Sequence, residues 1–81
     1  SVMLYPNPSN GELSLITTFA TNQTIEVTIN NVMGQLMGSS KHNNVTNEVF
    51  NLDLKNYSNG VYFVTINNGN EKIVKRIVLN K

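Results

Sequence analysis

Apolar side chains in this chain return at every second position, in short runs that end in Asn, Gly or Pro. That period belongs to strands with one face on a core, and no stripe at helical spacing competes with it. The clearest case is Thr24 to Asn30, with Ile25, Val27 and Ile29 on one side and Thr24, Glu26, Thr28 and Asn30 on the other. Glu12 to Phe19 alternates in the same way, placing Leu13, Leu15, Thr17 and Phe19 together. In Glu48 to Leu54, Phe50, Leu52 and Leu54 oppose Asn51, Asp53 and Lys55.

Three further strands are less regular. Val61 to Ile66 is apolar except for Thr65, which predicts a central strand buried on both faces. Gln35 to Ser40 is a weaker strand around Leu36 and Met37, and Gly38 inside it marks a bulge or an edge. Lys72 to Leu79 carries two alternating sets, Ile73, Lys75, Ile77 and Leu79 against Val74, Arg76 and Val78. Either set could face the core, and a bulge near Lys75 would let Val74 and Ile77 both point inward. Met3-Leu4-Tyr5 is a short first strand, and Lys41 to Asn47, which holds the only His, reads as the longest polar connection.

The breaks between strands have their own chemistry. Pro6 and Pro8 fix φ and remove two backbone donors, so Pro6 to Pro8 is a stiff extended piece, followed by an Asn10-Gly11 turn. Gly34 and the Asn67-Asn68-Gly69-Asn70 stretch supply further turns. Tyr57-Ser58-Asn59-Gly60 turns the chain over before a core strand whose second residue is Tyr62. That arrangement makes Tyr62 a candidate corner tyrosine, with its hydroxyl bonded to upstream backbone. Seven short strands with turns between them predict an all-β Greek-key sandwich, one domain over residues 1–81. The Pro6 to Pro8 segment, a bulge at Gly38 and the lysines of the last strand would protect its edges.

A chain of 81 residues buries only about 60% of its unfolded surface, and without Cys neither disulfides nor a thiolate metal site can reinforce so small a core. No apolar run approaches the roughly 20 residues that span a bilayer. Ser1-Val2-Met3 lacks the regions of a signal peptide and an initiator Met, so the chain is expected to be a fragment of a longer protein. Charge is uneven: residues 1–40 carry only Glu12 and Glu26, whereas residues 41–81 carry six basic and three acidic groups. A nucleic-acid site would show a larger basic excess with interleaved aromatics, and here the last aromatic is Phe63.

Catalytic residue types are sparse. His42 is the only imidazole and Asp53 the only Asp, and Ser39 and Ser40 beside His42 do not amount to a triad without an orienting acid. Glu12, Glu26, Glu48 and Glu71 lie in separate strands or turns without the spacing of an acid and base pair or a calcium loop. No glycine turn leads into a helix that could cradle phosphate, so no catalytic, metal or cofactor site is expected.

Taken in order, Tyr5-Pro6-Asn7-Pro8-Ser9-Asn10-Gly11, Asn30-Asn31-Val32-Met33-Gly34-Gln35, Leu54 to Val64 and the Lys75-containing last strand resemble the C-terminal sorting domain of the type IX (Por) secretion system. The resemblance covers almost the whole chain. It implies a seven-stranded immunoglobulin-like sandwich at the end of a secreted cargo protein. Such a domain directs its cargo through the periplasm and across the outer membrane, after which a sortase commonly removes it and the cargo is anchored at the surface or released. The family's first motif falls on Pro6, Pro8 and Gly11, its glycine-centred motif on Gly60 and Tyr62, and its last motif on Lys75, with Arg76 beside it as a second basic candidate. The implied partners are the outer-membrane translocon or shuttle and the sortase, met by a monomer that could pair through an edge strand; neither nucleic acid nor a membrane span is implied. Other sandwiches bind sugars or act as spacers. A carbohydrate-binding module would use an exposed aromatic, here Tyr57 at best, and a spacer would be followed by further domains.

Overall fold

The computed structural model describes residues 1–81. Seven strands form, β1 (Val2–Tyr5), β2 (Glu12–Thr17), β3 (Gln23–Asn31), β4 (Leu36–Val45), β5 (Glu48–Asp53), β6 (Gly60–Asn67) and β7 (Lys72–Leu79), with no helix. They divide into a three-stranded sheet, β1-β2-β5, and a four-stranded sheet, β4-β3-β6-β7, antiparallel throughout. The chain crosses between sheets after β2, β4 and β5, which gives the immunoglobulin-like Greek-key sandwich expected from the strand spacing.

The alternation read from the sequence decides what each sheet buries. Leu13 and Leu15 of β2 face Ile25, Val27 and Ile29 of β3 and Tyr62, Val64 and Ile66 of β6, with Ile77 and Leu79 of β7 closing the core. Thr17 is buried among them, as its place in the β2 set requires. Each Leu, Ile or Val removed from water in this way contributes about 1.5–3 kcal/mol, which makes this layer the main source of stability in a chain with no disulfide.

Three local expectations need correction. Lys41 to Val45 is not a loop but the second half of β4, paired as Glu26↔Lys41 and Ile25↔His42, with Gln23↔Val45 beyond a register shift. Its residues are polar because β4 is the outer strand of its sheet, so the composition reports exposure and not irregularity; Asn44, at φ 57°, takes the kink that turns Val45 into the core. The other β3–β4 register shift skips Met37, beside Gly38, so the bulge read from Gly38 is present. Val61 to Ile66 is central, yet Val61, Phe63 and Thr65 are only half-buried because no second layer covers that face. Finally, β7 pairs with β6 in unbroken register from Gly60↔Leu79 to Asn67↔Lys72, with no bulge near Lys75. Residues directly opposite in an antiparallel pair share a face, so Lys75, opposite buried Val64, lies on the core side with Ile73, Ile77 and Leu79. The inward set is the one that contains the lysine.

Register also sorts the connections into two poles. The turns after β1, β3 and β5 and the chain end after β7 gather at one pole. Ser1 lies at the other, where its ammonium donates to Thr18 O at 2.6 Å, together with the turns after β2, β4 and β6.

Candidate functional site

Pro6, Pro8, Gly11, Gly60 and Tyr62 all lie at the first pole, and Lys75 and Arg76 lie along β7 below it. The segment Pro6 to Ser9 makes the link. After Tyr5 the chain leaves the three-stranded sheet through two prolines, each preceded by a cis peptide bond, and crosses to the edge of β7. Ser9 pairs there in parallel with Leu79: its N–H donates to Val78 O and its carbonyl accepts from Asn80 N–H, both at 2.8 Å. Neither proline can donate, so Asn7 between them uses its side chain. Its Nδ2 donates to Arg76 O at 3.1 Å, and its Oδ1 accepts from Val78 N–H at 2.9 Å.

Ser9 is the residue of this segment that the sequence reading passed over. It is 1% exposed, accepts from Gly11 N–H at 3.1 Å and donates to Glu12 O at 2.8 Å, so one hydroxyl holds the whole turn. A serine directly before Asn-Gly was the available signal. Gly11 follows at φ 120°, and a Cβ there would sit 3.0 Å from Lys55 Cγ. Its carbonyl accepts from Leu54 N–H at 2.7 Å, tying the turn to the β5–β6 corner.

That corner is built on Tyr62. The ring is buried, and its hydroxyl donates to Ser58 O at 2.6 Å, the upstream bond expected of a corner tyrosine. Gly60 reaches φ 152° between them. Lys81 closes the corner from outside, donating through Nζ to Lys55 O at 3.0 Å and Tyr57 O at 2.6 Å, and through its N–H to Asn59 Oδ1 at 2.9 Å. The three stretches that looked related in sequence are therefore joined by hydrogen bonds in space.

The electrostatics single out β7. Glu12 and Lys55 form the one ion pair of the domain, at 4.0 Å and well exposed, where such contacts contribute little. Lys72, Lys75 and Arg76 are exposed and meet no carboxylate. Opposite pairs put Lys72, Val74 and Arg76 on the outer face beside Asn67, Thr65 and Phe63, while Lys75 lies on the inner face between Ile73 and Ile77, exposed because β7 is the edge strand of its sheet.

Other candidates resolve into structure. His42 Nε2 lies 3.0 Å from Ser40 Oγ and its ring rests on Phe50 at 4.3 Å, so this pair spans the gap between β4 and β5. Tyr57 is half-buried, its hydroxyl donates to Met37 O at 3.1 Å and its ring lies 5.6 Å from that of Tyr62. It offers no free platform for a sugar; the exposed aromatic is Tyr5, at 64%.

Comparison with known proteins agrees with the motif geometry. No curated protein matches the chain. The family model described as "Secretion system C-terminal sorting domain" matches residues 3–80, nearly the whole chain. The motif residues lie within that span, with Pro6, Pro8, Gly11, Gly60 and Tyr62 at one pole of the sandwich and Lys75 and Arg76 along β7. The chain belongs to the secretion system C-terminal sorting domain family, the type IX signal that marks proteins for export across the outer membrane to the cell surface or beyond.

Proposed function

We propose that the export machinery reads this sorting signal through the basic stretch of β7, Lys72 to Arg76, and that Pro6, Pro8, Gly11, Gly60 and Tyr62 act mainly by building the pole that holds β7 in place. One observation carries the reading: Lys75 and Arg76 are exposed, have no ionic partner, and contribute nothing visible to the core. Three cations within five residues would draw the domain toward an acidic surface and speed encounter more than they tighten the complex. The partners on this reading are the translocon or its shuttle and a sortase, which separates the sorting domain from its secreted cargo. Catalysis belongs to those partners, because the sorting domain acts by being recognised.

The test fuses residues 1–81 to a periplasmic reporter in a bacterium that has the type IX system. Surface delivery is compared with that of a Lys75→Ala, Arg76→Ala version whose fold is checked by circular dichroism. Delivery by the parent and its loss in the folded variant supports the reading; equal delivery by both moves the recognised surface away from β7.

A further inference from the structure

We infer that Lys72 to Arg76 is a docking edge for one extended acidic segment of the partner, added to the four-stranded sheet as a fifth strand in a register set by Asn7. The inference rests on the reading of β7 given above and specifies how that strand is bound.

Backbone groups along an antiparallel strand face alternate sides. Val78 N–H and C=O and Arg76 C=O point away from β6, since they bond to Asn7 and Ser9. Two-residue alternation then puts the N–H and C=O of Lys72 and Val74 and the N–H of Arg76 on the same outward side. β6 is the one strand paired with β7, and beyond Arg76 the other side is covered by Asn7 to Ser9. The outward groups from Lys72 to Arg76 N–H therefore form an open strand edge with a defined stop.

The side chains describe the occupant. A strand laid along this edge would bring its residues opposite Lys72, Val74 and Arg76 to the outer face, and those opposite Ile73 and Lys75 to the inner one. Complementarity asks for acidic, apolar, apolar, acidic and acidic residues opposite Lys72, Ile73, Val74, Lys75 and Arg76. Val74, 54% exposed, and half-buried Ile73 gain cover from such a strand. The same three cations repel a second copy of β7 laid against the first, so the edge rejects itself while accepting an acidic strand. The opposite edge, β4, carries register shifts near both ends and no comparable run of charge, which makes it a poor template.

Val74→Pro tests the mode of binding. It removes an outward N–H and leaves the ladder to β6 intact, a position where an edge strand tolerates proline. A folded Val74→Pro fusion is expected to deliver at least tenfold less reporter than the parent. Parental delivery by that folded variant overturns strand addition; if Lys75→Ala, Arg76→Ala still fails, the basic surface remains the signal and only the strand is lost. Failure of the parent fusion itself overturns both readings. Should Val74→Pro not fold, hydrogen exchange on the unmodified domain decides, with a millimolar extended peptide whose core is Glu-Asp-Val-Ile-Glu, the antiparallel complement of Lys72 to Arg76. Slowing of the Val74 and Arg76 amides by tenfold or more supports the inference, and unchanged exchange at both overturns it.

Discussion

The carboxamide of Asn7 stands against Val78 as a peptide group would, accepting from its N–H at 2.9 Å while donating to the neighbouring Arg76 carbonyl at 3.1 Å. A side chain thus replaces a rung of ladder that two prolines cannot supply. Both bonds lie in exposed surroundings, where water competes, so Asn7→Ala should cost about 1 kcal/mol. Asn7→Asp should fare no better, since its second carboxylate oxygen would face Arg76 O. Urea denaturation would show the loss as a lower midpoint at unchanged slope; a wild-type midpoint would mean that water substitutes fully.

Tyr62→Phe keeps the buried ring and removes the bond to Ser58 O. A loss of about 1 kcal/mol is expected, which in a domain of this size lowers the melting temperature by roughly 4–8 °C. Reporter delivery should survive at a temperature where the variant remains folded. Normal folding with failed delivery would show that Tyr62 is read directly.

Thr17 is a polar residue inside the core, 1% exposed, whose hydroxyl donates to Thr46 O at 2.8 Å and accepts from Glu48 N–H at 3.2 Å. Thr17→Val has the right shape but strands both backbone groups at the turn that joins the two sheets. It should cost about 1–3 kcal/mol, with Thr17→Ser closer to the parent. Thermal unfolding of the three proteins checks the order.

Gly60 and Gly11 both take positive φ, but their surroundings differ. A Cβ at Gly60 meets nothing within 4 Å, so Gly60→Ala carries backbone strain alone, about 1–3 kcal/mol. At Gly11 the same strain is joined by Lys55 Cγ at 3.0 Å, which must swing away. Gly11→Ala should therefore be the more destabilising of the two by chemical denaturation, and the reverse order would locate the greater constraint at the corner.

What could be read without coordinates follows from physics that acts locally. Ile25, Val27 and Ile29 had to share a face, and Asn10-Gly11 and Asn68-Gly69 had to turn. Tyr62 two residues into a core strand after Asn59-Gly60 implied its hydroxyl bond. The Lys41 to Val45 half of β4 looked like a loop because the inner face of this edge strand is only partly covered, so its half-buried positions Ser40 and His42 are polar and the apolar alternation is lost. The inward side of β7 could not be chosen from Ile73, Lys75, Ile77 and Leu79 alone, since a lysine among them argues against burial; only its register with Val64 shows that Lys75 is on the core side, exposed at the sheet edge. The site was legible as residue types, from Pro6 to Arg76, but the bond from Asn7 to Arg76 joins positions 69 residues apart, and nothing in either neighbourhood announces it.

Ser1 and the turn residues Pro6, Pro8, Gly11, Gly60 and Tyr62 occupy opposite poles of a body 35 Å long, and β7 runs from the first of these poles to the second. Any polypeptide joined before Ser1 therefore trails from the far side, like a load hitched behind its engine. The leading turns stay clear whatever the size or shape of the freight, and the basic edge of β7 runs forward from the hitch toward them.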